Sequence, residues 1–268
     1  MVKKDECLSL SKRKLSNFDI FSDYVKYTLK SDATLLIVKS RGGLGKTFSV
    51  LRALGGVEHV YVSGYITPLE FYDKLLNNQD GVIVLDDLEG LLGDKKNLAM
   101  LKSATFPSLD GKRVVQYSSS KSGDEKNAFV CNAKFIILCN VTPKGADWGA
   151  IQSRGLFFDF KPSNDEVFSQ LLNNSNVDVD VIEFMRDILK HHNPVNFRMY
   201  QHIVGLKSVF VDSWKSLALP VLSVSDRHVF LRRLLDSGLS VDRQIDEYKT
   251  KGLSRSSYFR HKSEVLSE

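Results

Sequence analysis

Short apolar runs alternate with amphipathic segments through the first part of the chain. Asn17 to Leu29 places Phe18, Ile20, Phe21, Tyr24, Val25, Tyr27 and Leu29 at helical spacing. Leu35-Leu36-Ile37-Val38 follows and reads as a buried strand, and Phe48 to Leu54 returns to helical spacing. Val57 to Val62 is short and β-branched, so a strand. Thr67-Pro68-Leu69-Glu70 opens a helix with Pro68 in the first turn, where its missing N–H costs nothing. Gly81 to Asp87 is a continuous apolar run ending in two acids, the pattern of a strand buried on both faces of a parallel sheet. Leu98 to Ala104 is helical. Lys112 to Tyr117 and Ala128 to Cys131 flank a polar tip and read as a β-hairpin. Lys134 to Asn140 and Leu156 to Phe160 are further core strands.

From Asn164 the pattern turns helical: Val167 to Leu172, Val179 to His191, Asn196 to Val211, then two or three short helices in the last fifty residues. Alternating strands and helices followed by a helical tail predict an α/β fold with an all-helical end.

Composition changes this picture little. A chain of 268 residues buries a real core, and 26% charged residues is ordinary for a globular protein. The net charge of +5 is compatible with a polyanionic partner without arguing for one. Cys7, Cys131 and Cys139 have no paired metal-ligand spacing, and Cys131 and Cys139, in or beside apolar runs, read as buried thiols of a reducing compartment rather than a disulfide. No apolar run is long enough to cross a membrane, and the start Met1-Val2-Lys3-Lys4-Asp5-Glu6 lacks the apolar segment of a secretory signal. These features predict a cytoplasmic protein.

The chemistry gathers on Ser40-Arg41-Gly42-Gly43-Leu44-Gly45-Lys46-Thr47, between a strand and a helix that opens at Phe48. Glycines let successive N–H groups turn toward anionic oxygens, and a helix start adds its positive end. Lys46 then reaches the phosphates of a nucleotide, and the Thr47 hydroxyl holds Mg²⁺. The P-loop pattern asks for glycine where the chain has Ser40, which predicts a turn that serine adopts at a cost. A chance glycine turn before a helix is the alternative. Asp86 and Asp87 lie about 40 residues after Lys46 at a strand's carboxyl end, where open α/β sheets bind ligands. Asp86 suits Mg²⁺ binding, and Asp87 suits orienting or deprotonating water. The alternative is two acids that merely solubilise a strand end. Asn140 ends the next core strand; there it is either a γ-phosphate contact or a turn residue.

In order, these residues resemble the AAA+ ATPases: a P-loop at Gly45-Lys46-Thr47, a Walker B strand ending Asp86-Asp87, and a sensor 1 residue at Asn140. The hairpin at 112–131, just before the sensor 1 strand, and the paired aspartates look like superfamily 3 helicases and related phage and plasmid replication ATPases. The similarity covers residues 31 to 215. It implies a P-loop parallel-sheet AAA+ core at 31–162 after an N-terminal helical segment at 1–30, an α-helical lid at 163–215, and a helix-turn-helix-like C-terminal segment at 216–268. ATP and Mg²⁺ are the implied cofactors. Asp87 stands where many family members carry glutamate, and a shorter acid reaches water less far.

The same resemblance gives Arg154, before the last core strand, the role of a finger entering a neighbour's site. It gives Arg198 the role of a lid arginine on the nucleotide of its own chain. Either could instead be a surface ion-pair partner. A working finger implies a homo-oligomeric ring, hexameric by resemblance. Lys121 and Lys126 in the hairpin tip, with Lys112 and Arg113 at its base, either track a phosphate backbone in the ring's pore or are simply solvated. Val241 to Tyr248, a glycine turn at Gly252 and Arg255 to Val265, capped by Ser254, resemble a helix-turn-helix. Arg255, Ser256, Ser257 and Arg260 then face DNA while Tyr258 and Phe259 pack inward; a helical hairpin of the lid is the competing reading.

The function these features imply is a ring-forming Mg²⁺-dependent ATPase that unwinds or remodels DNA in replication of a phage, plasmid or other mobile element in a bacterial or archaeal cell, with other replication proteins as partners. The rivals are an ATP-gated DNA-binding switch or helicase loader with slow turnover, and a protein-remodelling ATPase. Leu91 to Lys96 carries no aromatic pore residue, which counts against the last.

Overall fold

The computed structural model describes residues 15–87, 91, 93–117, 128–142, 146–173, 175–189 and 195–267. The chain divides into two compact units, Met1–Pro162 and Ser163–Glu268. The first is a parallel sheet with helices on its faces. Its elements run α1 (Asn17–Lys30), β1 (Leu35–Lys39), α2 (Lys46–Leu54), β2 (His59–Ser63), α3 (Pro68–Leu76), β3 (Val82–Asp86), α4 (Lys95–Thr105), β4 (Val114–Gln116), β5 (Ala128–Val130), β6 (Lys134–Cys139), α5 (Ala146–Gln152) and β7 (Leu156–Asp159).

Five strands pair in the order β2-β3-β6-β1-β7. Every pairing in this sheet is parallel. β2 and β3 are neighbours in sequence and in space, whereas β1 lies between β6 and β7, and each parallel pairing is reached through a crossover that carries the chain over a face of the sheet. β3 is buried along its whole length, and so are Leu35 to Val38 of β1 and Phe135 to Cys139 of β6. Strands covered on both faces need apolar residues at every position, which is why they read as unbroken runs. The register aligns Lys39 with Cys139 and Asp86 with Leu138. Each polar strand end therefore emerges at the same edge of the sheet.

Local chemistry sets the helix ends. Ser16 and Asp19 form a reciprocal capping box at the start of α1, and Thr67 caps α3 with Pro68 at its first position. Lys134 donates to the carbonyls of Thr28, Ser31 and Ala33, so a cation closes the negative end of α1. Phe18 and Phe21 of α1 pack on Phe160, at ring separations of 5.1 and 5.2 Å. The short α5 has no counterpart in the sequence pattern; it buries Trp148 and Ile151.

Gly155 joins α5 to β7 at a close crossing. A Cβ there would lie 2.7 Å from Leu35 Cγ and 2.8 Å from the Leu35 carbonyl oxygen. The carbonyl belongs to a central strand and has little room to yield. Gly155→Ala is therefore expected to destabilise the chain by about 1–3 kcal/mol, the usual cost of forcing extra volume into a packed interior. A denaturant midpoint equal to that of the unaltered chain would show that β7 is not docked on β1 this closely.

The second unit holds α6 (Asn164–Leu172), α7 (Val179–Ile188), α8 (Phe197–Val209), α9 (Trp214–Val221), α10 (Asp226–Asp236), α11 (Val241–Thr250) and α12 (Arg255–Ser267). Lys207 of α8 bridges Asp178 and Asp180 at 2.8 and 2.9 Å, tying it to the start of α7. The last three helices share a core of Leu231, Leu234, Ile245, Tyr248 and Tyr258. Among the described residues no helix is long and apolar enough to cross a membrane.

Candidate functional site

The loop between β1 and α2 is shaped by two glycines. Gly43 and Gly45 both sit at φ 79°, a left-handed conformation that side chains resist. Gly45 is the N-cap of α2 and offers no side chain to its first turn, so the helix's opening N–H groups are not spent on a cap. Ser40 behaves otherwise than its place in the motif suggests. It is absent from the residues with positive φ, and its N–H donates to the Cys139 carbonyl at 3.0 Å. It is 3% exposed and acts as the last rung between β1 and β6, so serine costs nothing there. Leu44 is buried at 5%, which pins the loop to the core, while Phe48 is 68% exposed. Arg41 and Gly42 are exposed.

The three polar strand ends meet on one residue of this loop and its neighbour. Lys46 is 7% exposed, and its Nζ donates to Asn140 Oδ1 at 2.6 Å and to the carbonyls of Ser40 and Arg41 at 3.2 and 3.3 Å. Asn140 Nδ2 in turn donates to Asp87 Oδ1 at 2.9 Å. The amide thus presents its acceptor to a cation and its donor to a carboxylate, an assignment only an amide can satisfy. Thr47 Oγ1 donates to Asp86 Oδ2 at 2.5 Å.

Asp87 carries the site's backbone strain. Its φ of 50° is a left-handed value that aspartate tolerates better than most residues. The turn swings its carboxylate out of the strand direction and into solvent beside Asn140, whereas Asp86 stays 4% exposed. Two adjacent acids therefore occupy different environments.

Nothing in the sequence pattern singles out Tyr61. It lies on β2 diagonally across from Asp86 and on the same face, since Ser63 is the residue paired with Asp86. Its hydroxyl donates to Asp86 Oδ2 at 2.6 Å. Burial pushes the hydroxyl's pKa up, with further rises from the bond to Asp86 and that carboxylate's charge, to about 12. Cys139, one residue before Asn140, is pushed up to about 11 by burial, so its thiol is inert packing.

Oxygen donors from Thr47 and Asp86 suit a hard cation. Mg²⁺ is characteristically held by one or two carboxylates together with phosphate oxygens and water. Two side-chain oxygens fill only part of such an ion's shell and leave the rest to oxygens from outside the chain.

Other residues singled out from the sequence lie elsewhere. Arg154 precedes β7 at the opposite edge of the sheet from the loop. The five residues of β1 separate the two edges by roughly 16 Å at about 3.3 Å per residue. Its guanidinium stacks on Phe106 at 4.6 Å, and its Nη1 is buried with no acceptor among the described residues. Arg113 departs from the expectation of a DNA contact. It is half-buried, and its Nη1 donates to the carbonyls of Ala104 and Ala133, both at 2.8 Å. Desolvation lowers its pKa. Its charge fastens the hairpin base to α4 and β6. Lys112 is exposed. The tip lysines Lys121 and Lys126 lie outside the described residues.

In the second unit Arg198 is exposed near the start of α8. Gly252, at φ 73°, makes the turn between α11 and α12, and Ser254 accepts from the Ser257 N–H at 3.1 Å. Arg255, Ser256 and Arg260 are exposed on α12, and Ser257 is partly so. Tyr258 packs inward against Tyr248 at 5.5 Å, but Phe259 is 46% exposed, against expectation. Helical spacing explains this: the residue after a buried one turns by about 100° and faces solvent.

No protein-family model and no curated protein matches the chain. Solved structures do. The Thermotoga maritima RuvB Holliday junction branch migration motor superposes with a TM-score of 0.50 at 12% identity, over 92% of this chain and 87% of that one. A mutant form of the same RuvB gives 0.52 at 12% identity, over 92% and 88%. The five-stranded parallel sheet with flanking helices is the fold of these P-loop AAA+ ATPases.

Proposed function

We propose that the chain is a Mg²⁺-dependent ATPase that works as a ring, hexameric by family resemblance, and couples hydrolysis to unwinding or remodelling DNA. One observation carries the reading: Lys46, Asp87 and Asn140 form a continuous hydrogen-bonded chain beside Thr47 and Asp86, at the mouth of a loop built for phosphate. A phosphate-reaching lysine, a hydroxyl and carboxylate placed for a metal, and polar groups able to orient water are parts that recur in phosphoryl-transfer sites.

In this reading residues Ser40 to Phe48 wrap the triphosphate. Bound Mg²⁺ offsets phosphate charge, and Thr47 and Asp86 are its protein ligands. Lys46 leaves its loop carbonyls to neutralise phosphate oxygens. Asn140 orients the terminal phosphate, and Asp87 accepts the proton of the attacking water. Arg154 acts on a neighbouring subunit's site, and Arg198 contacts nucleotide from the lid.

Lys112 and the tip lysines Lys121 and Lys126 are assigned to single-stranded DNA, and Arg255 and Arg260 to duplex. The exposed cationic start of α12 after a glycine turn supports the latter assignment. The hairpin β4–β5 just before β6, with paired aspartates ending β3, supports placement near superfamily 3 replication ATPases of phages and plasmids. DNA should stimulate ATP turnover, and the stimulation should fall steeply between low and moderate salt as counterion release demands. Turnover indifferent to DNA would overturn the DNA-motor reading.

A further inference from the structure

The carboxylate of Asp86 is gripped from two sides. Thr47 reaches it from α2 and Tyr61 from β2, and both donate to the same oxygen, Oδ2. Asp86 is 4% exposed at the end of a wholly buried strand, so its carboxylate oxygens need hydrogen-bond partners from the groups arranged around them. Two donors converging on one oxygen from different elements fix the rotation of the carboxylate and leave Oδ1 for a cation or its water. Ser63 is directly opposite Asp86, yet its side chain is too short to do this; the longer Tyr61 does it from the diagonal position. Tyr61 is 40% exposed on an edge strand, so its ring is not held there by core packing. Its hydroxyl bond is the specific contact.

We propose that Tyr61 is a positioning residue for Mg²⁺: it holds Asp86 in the orientation that binds the cation of a metal–nucleotide complex. This rests on the ATPase reading above. Tyr61 touches neither metal nor nucleotide in this role. Groups that orient a metal's carboxylate ligand matter to the metal and little to the rest of the ligand.

The test is equilibrium binding of a fluorescent, non-hydrolysable ATP analogue to the full chain, with Mg²⁺ and with EDTA. Four proteins are compared: wild type, Tyr61→Phe, Asp86→Asn and the double variant. Tyr61→Phe should bind as wild type in EDTA and lose about tenfold in the Mg²⁺-dependent affinity, the low end for an outer ligand contact. In the Asp86→Asn background the same change should add no further loss. Equal losses with and without Mg²⁺, or a full Mg²⁺ gain in Tyr61→Phe, overturn the assignment of Tyr61 while leaving the ATPase reading intact. A wild-type chain that binds no analogue under either condition overturns both.

Discussion

Asp87→Asn is expected to slow ATP hydrolysis by about 10²–10⁴-fold, the range that a positioned general base contributes, with ATP binding preserved. The substitution isolates the proton-accepting role. Asparagine has the same shape and tolerates the left-handed backbone that Asp87 adopts at φ 50°. Its amide oxygen can still accept the bond from Asn140 Nδ2, now 2.9 Å from Asp87 Oδ1. What it cannot do is take a proton. Asp86→Asn makes the useful contrast, because that change removes a buried charge hydrogen-bonded to Thr47 and Tyr61 and should act on the metal first. Single-turnover hydrolysis alongside equilibrium binding separates the two. Near-normal turnover by Asp87→Asn would place the base elsewhere.

Arg154→Ala should cost about 10³–10⁵-fold in turnover of the assembled protein, the effect of an arginine that neutralises charge on the transferred phosphoryl group. Within its own chain Arg154 is at the wrong edge of the sheet to do this, a whole strand's length from Lys46. The proposed role therefore requires a second copy of the chain. One of the guanidinium's donors, Nη1, is buried without an acceptor among the described residues. Phe106, stacked at 4.6 Å, limits where the guanidinium can go. The decisive form of the experiment mixes two inactive variants, Arg154→Ala and Lys46→Ala. Wherever a wild-type Lys46 site faces a wild-type Arg154, activity should return. Mixtures as inactive as their components would confine Arg154 to a structural role.

The sheet is legible in the sequence because burial on both faces leaves no freedom in composition. Leu35 to Val38, Val82 to Leu85 and Phe135 to Leu138 are apolar at every position, and a polar residue after such a run has to be a strand end. Parallel strands then put Lys46, Asp86 and Asn140 at one edge without further information. The misses share a different cause. Tyr61 sits in an ordinary-looking strand, and only the pairing of β2 with β3 brings its hydroxyl to Asp86. Arg113 looks like surface charge beside Lys112, since nothing local announces that two distant carbonyls await it. The seven residues of α5 are too few to display a helical period. Ser40 looks costly only while the motif is taken as a list of backbone conformations. In the fold only Gly43 and Gly45 of that loop are left-handed.

If the three strand ends serve a single triphosphate, a structure of the chain with a bound Mg²⁺–ATP analogue will show all of them around it. The phosphates should lie along residues 42–47, with Lys46 Nζ moved from Asn140 onto phosphate oxygen, Asp86 on the metal side, and Asp87 and Asn140 facing the terminal phosphate. Nucleotide bound elsewhere, with the bonds from Lys46 to Asn140 and from Thr47 to Asp86 unchanged, would mean that the strand ends share no triphosphate.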